Sequence, residues 1–118
     1  MSTHPNVILM AVLTPKGLAR QTMAAILGSP YERDAAKDVM IDGIAYSPLV
    51  MEKEYDEGLQ ISAREGDLVF YDMVTYGYGE VIEWTDLEAR KEKLEEWARN
   101  AAQIHACDWR IDVTANYW

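Results

Sequence analysis

The sequence predicts an α+β fold: a mostly antiparallel sheet of about five to seven strands with two helices packed on one face, in the order β-α-β-β-β-β-β-α-β. Three observations point there. An apolar run at residues 6–13 leads straight into a helical pattern. A series of short strand-and-turn segments fills residues 39–84. A long amphipathic pattern over 85–106 then gives way to a strictly alternating C-terminal stretch.

Each element follows from its residues. Asn6-Val-Ile-Leu-Met-Ala-Val-Leu13 is continuously apolar, as a strand buried on both faces is, which predicts a central position in the sheet. Thr14-Pro15 supplies an N-cap and a proline at the first helical position, so the helix is expected to begin there and run to about Leu27. Gly28 suits its left-handed terminus and Pro30 prevents continuation. Asp42-Gly43, between Val39-Met40-Ile41 and Ile44-Ala45-Tyr46, predicts a type I′ hairpin, with Pro48 making the second arm an edge strand or ending it. Residues 52–58 form a charged connection. Leu59–Ala63, Leu68–Thr75 and Glu80–Trp84 read as three antiparallel strands, with turns at Arg64–Asp67 and Tyr76–Gly79. Thr85-Asp86-Leu87-Glu88 has the spacing of a capping box, opening a helix to about Ala106 with Leu87, Leu94, Trp97, Ala98, Ala101 and Ile104 on its apolar stripe. Trp109, Ile111, Val113, Ala115 and Tyr117 then share one face of a last strand.

The chain has 118 residues, of which 49% are hydrophobic and 26% charged. That is ordinary globular composition, and residues 1–118 read as one domain. Size scaling allows about two-thirds of the unfolded surface to be buried, enough for a core without staples. Cys107 is the only cysteine, so packing must carry stability, and a reducing compartment is the natural setting. The apolar run near the N-terminus is too short for a signal sequence or a membrane span. The expectation is a cytoplasmic protein.

The charge is unevenly placed. Of the net −9, all lies between Glu52 and Glu88, where eleven acids face only Lys53 and Arg64; the remainder of the chain is balanced. Phosphates would be repelled by such a segment, which argues against direct binding to nucleic acid or an anionic membrane and favours a basic partner.

The motifs with catalytic potential each have a plainer account. Gly77 and Gly79 give a G-x-G without a third glycine or a following helix, so a turn explains them better than a dinucleotide site. The junction Leu13-Thr14-Pro15-Lys16-Gly17 could present amides to an anion, but capping explains it better. His105 and Cys107, with Asp108 beside them, are spaced so that their side chains diverge, which suits a helix end better than a nucleophile–base pair. Two histidines and one cysteine make no zinc set. No cofactor, metal or catalytic set is expected.

Asp72 is the oddest residue, an acid within a strand that puts either Phe70, Asp72 and Val74 or Val69, Tyr71 and Met73 toward the core. Tyrosines and acids lie around it. Tyrosine and tryptophan anchor interfaces, and acids beside them complement arginine- or lysine-rich surfaces. Acids spaced along a small rigid domain can also imitate a nucleic-acid backbone. The sequence thus predicts a small acidic binding protein, of the size and charge of phage or mobile-element inhibitors, that docks on a basic surface of a nucleic-acid-handling protein. Glu52, Glu54, Asp56, Glu57, Asp72, Tyr76, Tyr78, Glu80 and Glu83 are its contact residues. The alternative is a small-molecule-binding domain or enzyme with a pocket between sheet and helices, using Asp72 and nearby tyrosines. A homodimer pairing through an open sheet edge is a third possibility.

Overall fold

The structure, a computed structural model, describes residues 5–52, 63–75 and 81–117. The elements are β1 (Pro5–Pro15), α1 (Ala19–Leu27), β2 (Val39–Ile41), β3 (Ile44–Val50), β4 (Leu68–Met73), α2 (Trp84–His105) and β5 (Cys107–Tyr117). The five strands make one antiparallel sheet in the order β2-β3-β4-β1-β5. Both helices lie on one face of it, as the sequence predicts.

β1 holds the fold together. It pairs with β4 on one side, Ile8 opposite Met73 through Leu13 opposite Leu68, and with β5 along its whole length on the other. Its residues from Ile8 to Leu13 are at most 1% exposed. Leu9, Ala11 and Leu13 point to the helix side and join Phe70, Leu68, Tyr46, Met23, Leu94 and Ala98 in the larger core. Ile8, Met10 and Val12 point the other way and pack with Leu49, Met51, Ala63 and Val69. Each such large side chain is worth about 1.5–3 kcal/mol over leaving it in water, so the unbroken apolar run stabilises two layers at once.

α2 packs mainly on β5 and β1, with Leu94, Ala98, Ala101 and Ala102 in the core, and Arg90 in its N-terminal half reaches Asp72 of β4. Its C-terminal end runs into β5 through a single residue, Ala106, whose backbone is left-handed. Phe70 meets Trp97 edge-to-face with ring centroids 4.8 Å apart, and Arg99 lies 5.7 Å over the Trp109 ring. The Asp42-Gly43 turn has positive φ at both residues (51° and 78°), as a type I′ hairpin requires.

Several local expectations are corrected. Thr14 and Pro15 do not open α1; they complete β1, and α1 starts at Ala19 after Leu18, without a side-chain cap. The Thr14 hydroxyl instead donates to the buried Asp67 carboxylate at 2.8 Å, a long-range bond that local capping statistics do not weigh. Residues 81–83 form no strand, and Trp84 already belongs to α2, so Glu83 is the N-cap and the capping box at Thr85 does not form. The amides of Asp86 and Leu87 bond to the Glu83 carbonyl, which sets the N-cap two residues before the threonine. Ala63 is buried outside any strand, while 59–62 and the turn at 76–79 lie outside the described residues. Ile104 is exposed: the buried stripe of α2 runs through Leu94, Ala98, Ala101 and Ala102, and Ile104 lies off it.

Pro48 is compatible with a strand interior to the sheet for a geometric reason. The Val50 amide bonds to the Tyr31 hydroxyl on the side away from β4, so by alternation the missing Pro48 amide also faces that side. β2 pairs with β3 only as far as Tyr46, and no ladder bond is lost. The expectation that Pro48 makes this arm an edge strand or ends it is thus corrected: β3 lies between β2 and β4 and runs on to Val50, with Pro48 placed where β2 has already ended.

Candidate functional site

β4 settles which way Asp72 points. Phe70, Asp72 and Val74 face the helices, and both faces of the strand carry core, so the acid is set at the end of an apolar row. Its carboxylate lies 3.4 Å from Nη1 of Arg90 on α2. Tyr46 lies on the same face of the adjacent strand and is 1% exposed. Burial pushes the Asp72 carboxyl above its ordinary range, with Arg90 pulling it partly back and Asp38 adding to the rise. Burial and then the neighbouring Asp72 charge push the Tyr46 phenol up as well. The group is a partly desolvated ion pair beside a buried phenol, held between sheet and helix.

Next to it, the start of α2 forms an open cleft of about 510 Å³ lined by Val74, Val81, Ile82, Glu83, Asp86, Ala89 and Arg90. Val81 is 88% exposed and Trp84 69%. Glu83 and Asp86 are exposed on either side of the tryptophan. Placing acids at a helix N-terminus is favourable for the helix itself, through its dipole. Placing two large apolar side chains in water beside them is not.

No protein family, curated protein or solved structure matches the chain. The site therefore stands on its geometry.

Of the nine contact residues the sequence singles out, three are described. Asp72 pairs with Arg90, and Glu83 lines the cleft that Arg90 also lines. Glu52 does not join them: it follows β3 at the opposite end from Tyr46, roughly 20 Å along the strand direction, and is ion-paired with Arg20 of α1. Glu54, Asp56, Glu57, Tyr76, Tyr78 and Glu80 lie outside the described residues. Two more acids of the negative stretch have structural work. Asp67 is buried and accepts from the Thr14 hydroxyl and the Arg64 amide, and Glu88 lies 3.5 Å from Lys91.

The other candidates separate. The Cys107 Sγ is 3.6 Å from the His105 carbonyl, not its imidazole, and burial raises the thiol further from ionisation. Lys16 lies before a helix that begins three residues later, so no amide nest forms at Thr14-Pro15. Among the described residues no group of three acids, histidines or cysteines could hold a metal, and no helix is long and apolar enough to cross a membrane.

Val81, Trp84 and Arg90 are the members of this site that sequence reasoning missed. Assigning Glu80–Trp84 to a strand gave Val81 and Trp84 neighbours that they lack, and the capping spacing at Thr85 concealed the earlier helix start. The pattern around Arg90 is polar and carries no local sign that it reaches a strand carboxylate.

Proposed function

We propose that this chain is a small acidic protein-binding module that docks on a basic surface of a nucleic-acid-handling protein, with the start of α2 as its anchor. The observation that carries the reading is Trp84, exposed between Glu83 and Asp86 and beside the exposed Val81. A large exposed aromatic with exposed acids adjacent in sequence suits a partner surface that is basic at its rim and has an apolar socket. The charge surplus of residues 52–88 supports it by steering a basic partner toward this part of the chain. Basic surfaces of that kind are what nucleic-acid-handling proteins present to phosphates, and a carboxylate array competes for them.

The test is affinity capture from the native host on the immobilised chain, with the retained protein then purified and titrated. Trp84→Ala is expected to weaken binding by about 30-fold or more, the effect of removing an aromatic hot spot. Glu83→Lys with Asp86→Lys should slow association and flatten the salt dependence. Reversing Glu54, Asp56, Glu57 and Glu80 to lysine should weaken the complex further. Binding that none of these changes alters would overturn the reading.

A second reading is favoured by the cleft itself. The Arg90 guanidinium lines it and a half-buried carboxylate lies behind, an arrangement that suits a small anionic or polar ligand. A ligand at 100 times its Kd adds about 2.7 kcal/mol to stability, so thermal shift against nucleotides and metabolites separates this reading from the first.

A further inference from the structure

The two edges of the sheet are built differently. β2, at one edge, has three residues. β5, at the other, has eleven, Cys107-Asp-Trp-Arg-Ile-Asp-Val-Thr-Ala-Asn-Tyr117, and contains neither lysine nor proline, the residues that usually protect an edge strand. Among the described residues no strand covers its outer side.

Which backbone groups face outward follows from the hydrogen bonds. The Ala106 carbonyl accepts from Lys16 on the β1 side, so the amide of Cys107, across the same peptide, points away from β1. By alternation Cys107, Trp109, Ile111, Val113 and Ala115 direct their N–H and C=O groups outward. The β1 register agrees. The Val7 carbonyl accepts from Val74 toward β4, so even-numbered β1 residues turn to β5, where they oppose even-numbered β5 residues.

A second copy can pair antiparallel with this edge about a two-fold axis, and the side chains together with the extent of the strand select one register. With Ile111 opposite Ile111 of the other copy, Trp109 faces Val113 and Arg110 faces Asp112, each pairing occurring twice. The odd-numbered pairs exchange hydrogen bonds. Arg110 and Asp112 occupy the non-hydrogen-bonded pairs, where side chains approach most closely. Centring the axis on Arg110 would oppose Arg110 to Arg110 and Asp108 to Asp112. Centring it on Asp112 would oppose Asp112 to itself. Both put like charges in contact. Centring it on Trp109 would oppose Asp108 to Arg110 but, because β5 begins at Cys107, would pair only residues 107–111, whereas the axis at Ile111 pairs 107–115.

The flanking surface fits the same arrangement. Val113 is 41% exposed on the helix face, whereas Trp109 is covered by Arg99. Antiparallel pairing about an axis normal to the sheet keeps the helices of both copies on one side and brings Trp109 of each beside the open Val113 of the other. β5 also lies outside residues 52–88, where the chain's charge surplus would repel a second copy.

We propose that β5 is a homodimerisation edge, joining two copies into one continuous antiparallel sheet in the register that sets Arg110 opposite Asp112. Arg110 and Asp112 are ion-paired within the chain and exchange partners across the axis.

Sedimentation velocity and light scattering on the full chain, across a concentration series, test this. The wild type is expected to reach twice the monomer mass by tens of micromolar, roughly the range expected for one strand pair with apolar flanks. Arg110→Asp alone and Asp112→Arg alone each set like charges face to face and should weaken self-association by about tenfold or more. Mixed in equal amounts, the two variants should form a heterodimer, because every cross-strand pair is then opposite in charge while both intrachain pairs remain broken. The doubly swapped chain should dimerise as the wild type does. Should either single variant fail to fold, Val113→Lys decides, since that side chain is exposed in the monomer and meets Trp109 in the dimer; it should give monomers with an unchanged melting temperature at low concentration. A wild type that is monomeric throughout, single variants that dimerise undiminished, or a mixture that stays monomeric would each overturn the proposal.

Discussion

Ala106 joins the longest helix to the longest edge strand at φ 54° and ψ 56°. Replacing it with glycine isolates the cost of that conformation. A β-carbon in the left-handed region costs about 1–2 kcal/mol. Glycine gains back only part of this, because it also widens the unfolded ensemble by about 0.4–1 kcal/mol. Ala106 is exposed, so its methyl contributes little packing. Ala106→Gly should therefore stabilise by about 0.5–1 kcal/mol, which raises the melting temperature by roughly 2–5 °C in a domain of this size. The matched control is Ala102→Gly, four residues earlier in α2 and 5% exposed. There glycine lacks the compensating relief and loses a buried methyl, for a cost of about 2 kcal/mol. Urea unfolding of both variants beside the wild type measures the difference, with the slope expected to stay constant. A lower midpoint for Ala106→Gly would refute the reasoning.

Two further outcomes follow from the core and from the ion pair. Phe70→Ala removes a fully buried ring and its edge-to-face partner, so it should cost about 3–5 kcal/mol, read as a fall in the urea midpoint. Asp72→Asn should be pH-dependent. Burial raises the carboxyl in the folded chain above its unfolded value, so the native state holds that proton more tightly and the ionised form costs stability once pH has risen through the raised value. The variant should thus gain on the wild type as pH rises from the ordinary carboxylate range through the raised value, and hold that gain above it. A difference that stays flat or shrinks over that range, in parallel thermal melts, would show that Arg90 outweighs desolvation.

What could be read from the sequence was whatever local pattern and burial agree upon. The run from Val7 to Leu13 announced a central strand because both of its faces are covered, and Asp42-Gly43 announced its turn because two successive left-handed residues require such a pair. The misreadings arose where a distant residue outbid a neighbour. Thr14 resembles a helix cap, yet Asp67, fifty-three residues on, takes its hydroxyl. Thr85-x-x-Glu88 resembles a capping box, yet the chain enters α2 earlier, at Glu83. Asp72 was conspicuous as an acid in a strand, but its partner Arg90 sits in an ordinary polar helix face. The charge surplus was legible as a sum and not as a surface: Glu52, Asp67, Asp72 and Glu88 are engaged with Arg20, Thr14, Arg90 and Lys91. Glu83 and Asp86 are left exposed beside Trp84.

The position of β1 also governs when the fold can form. Pro5 pairs with Tyr117 and Pro15 with Cys107, so β1 is closed on one side by β5, the strand farthest from it along the chain. Its other neighbour, β4, comes from the middle of the chain. Contacts so distant in sequence impose a large loop-closure entropy before any of them is rewarded, which places the chain among slow folders for its length. During synthesis the most apolar segment waits longest for cover, and a nascent chain halted before β5 would present Ile8 through Leu13 with one flank unsatisfied.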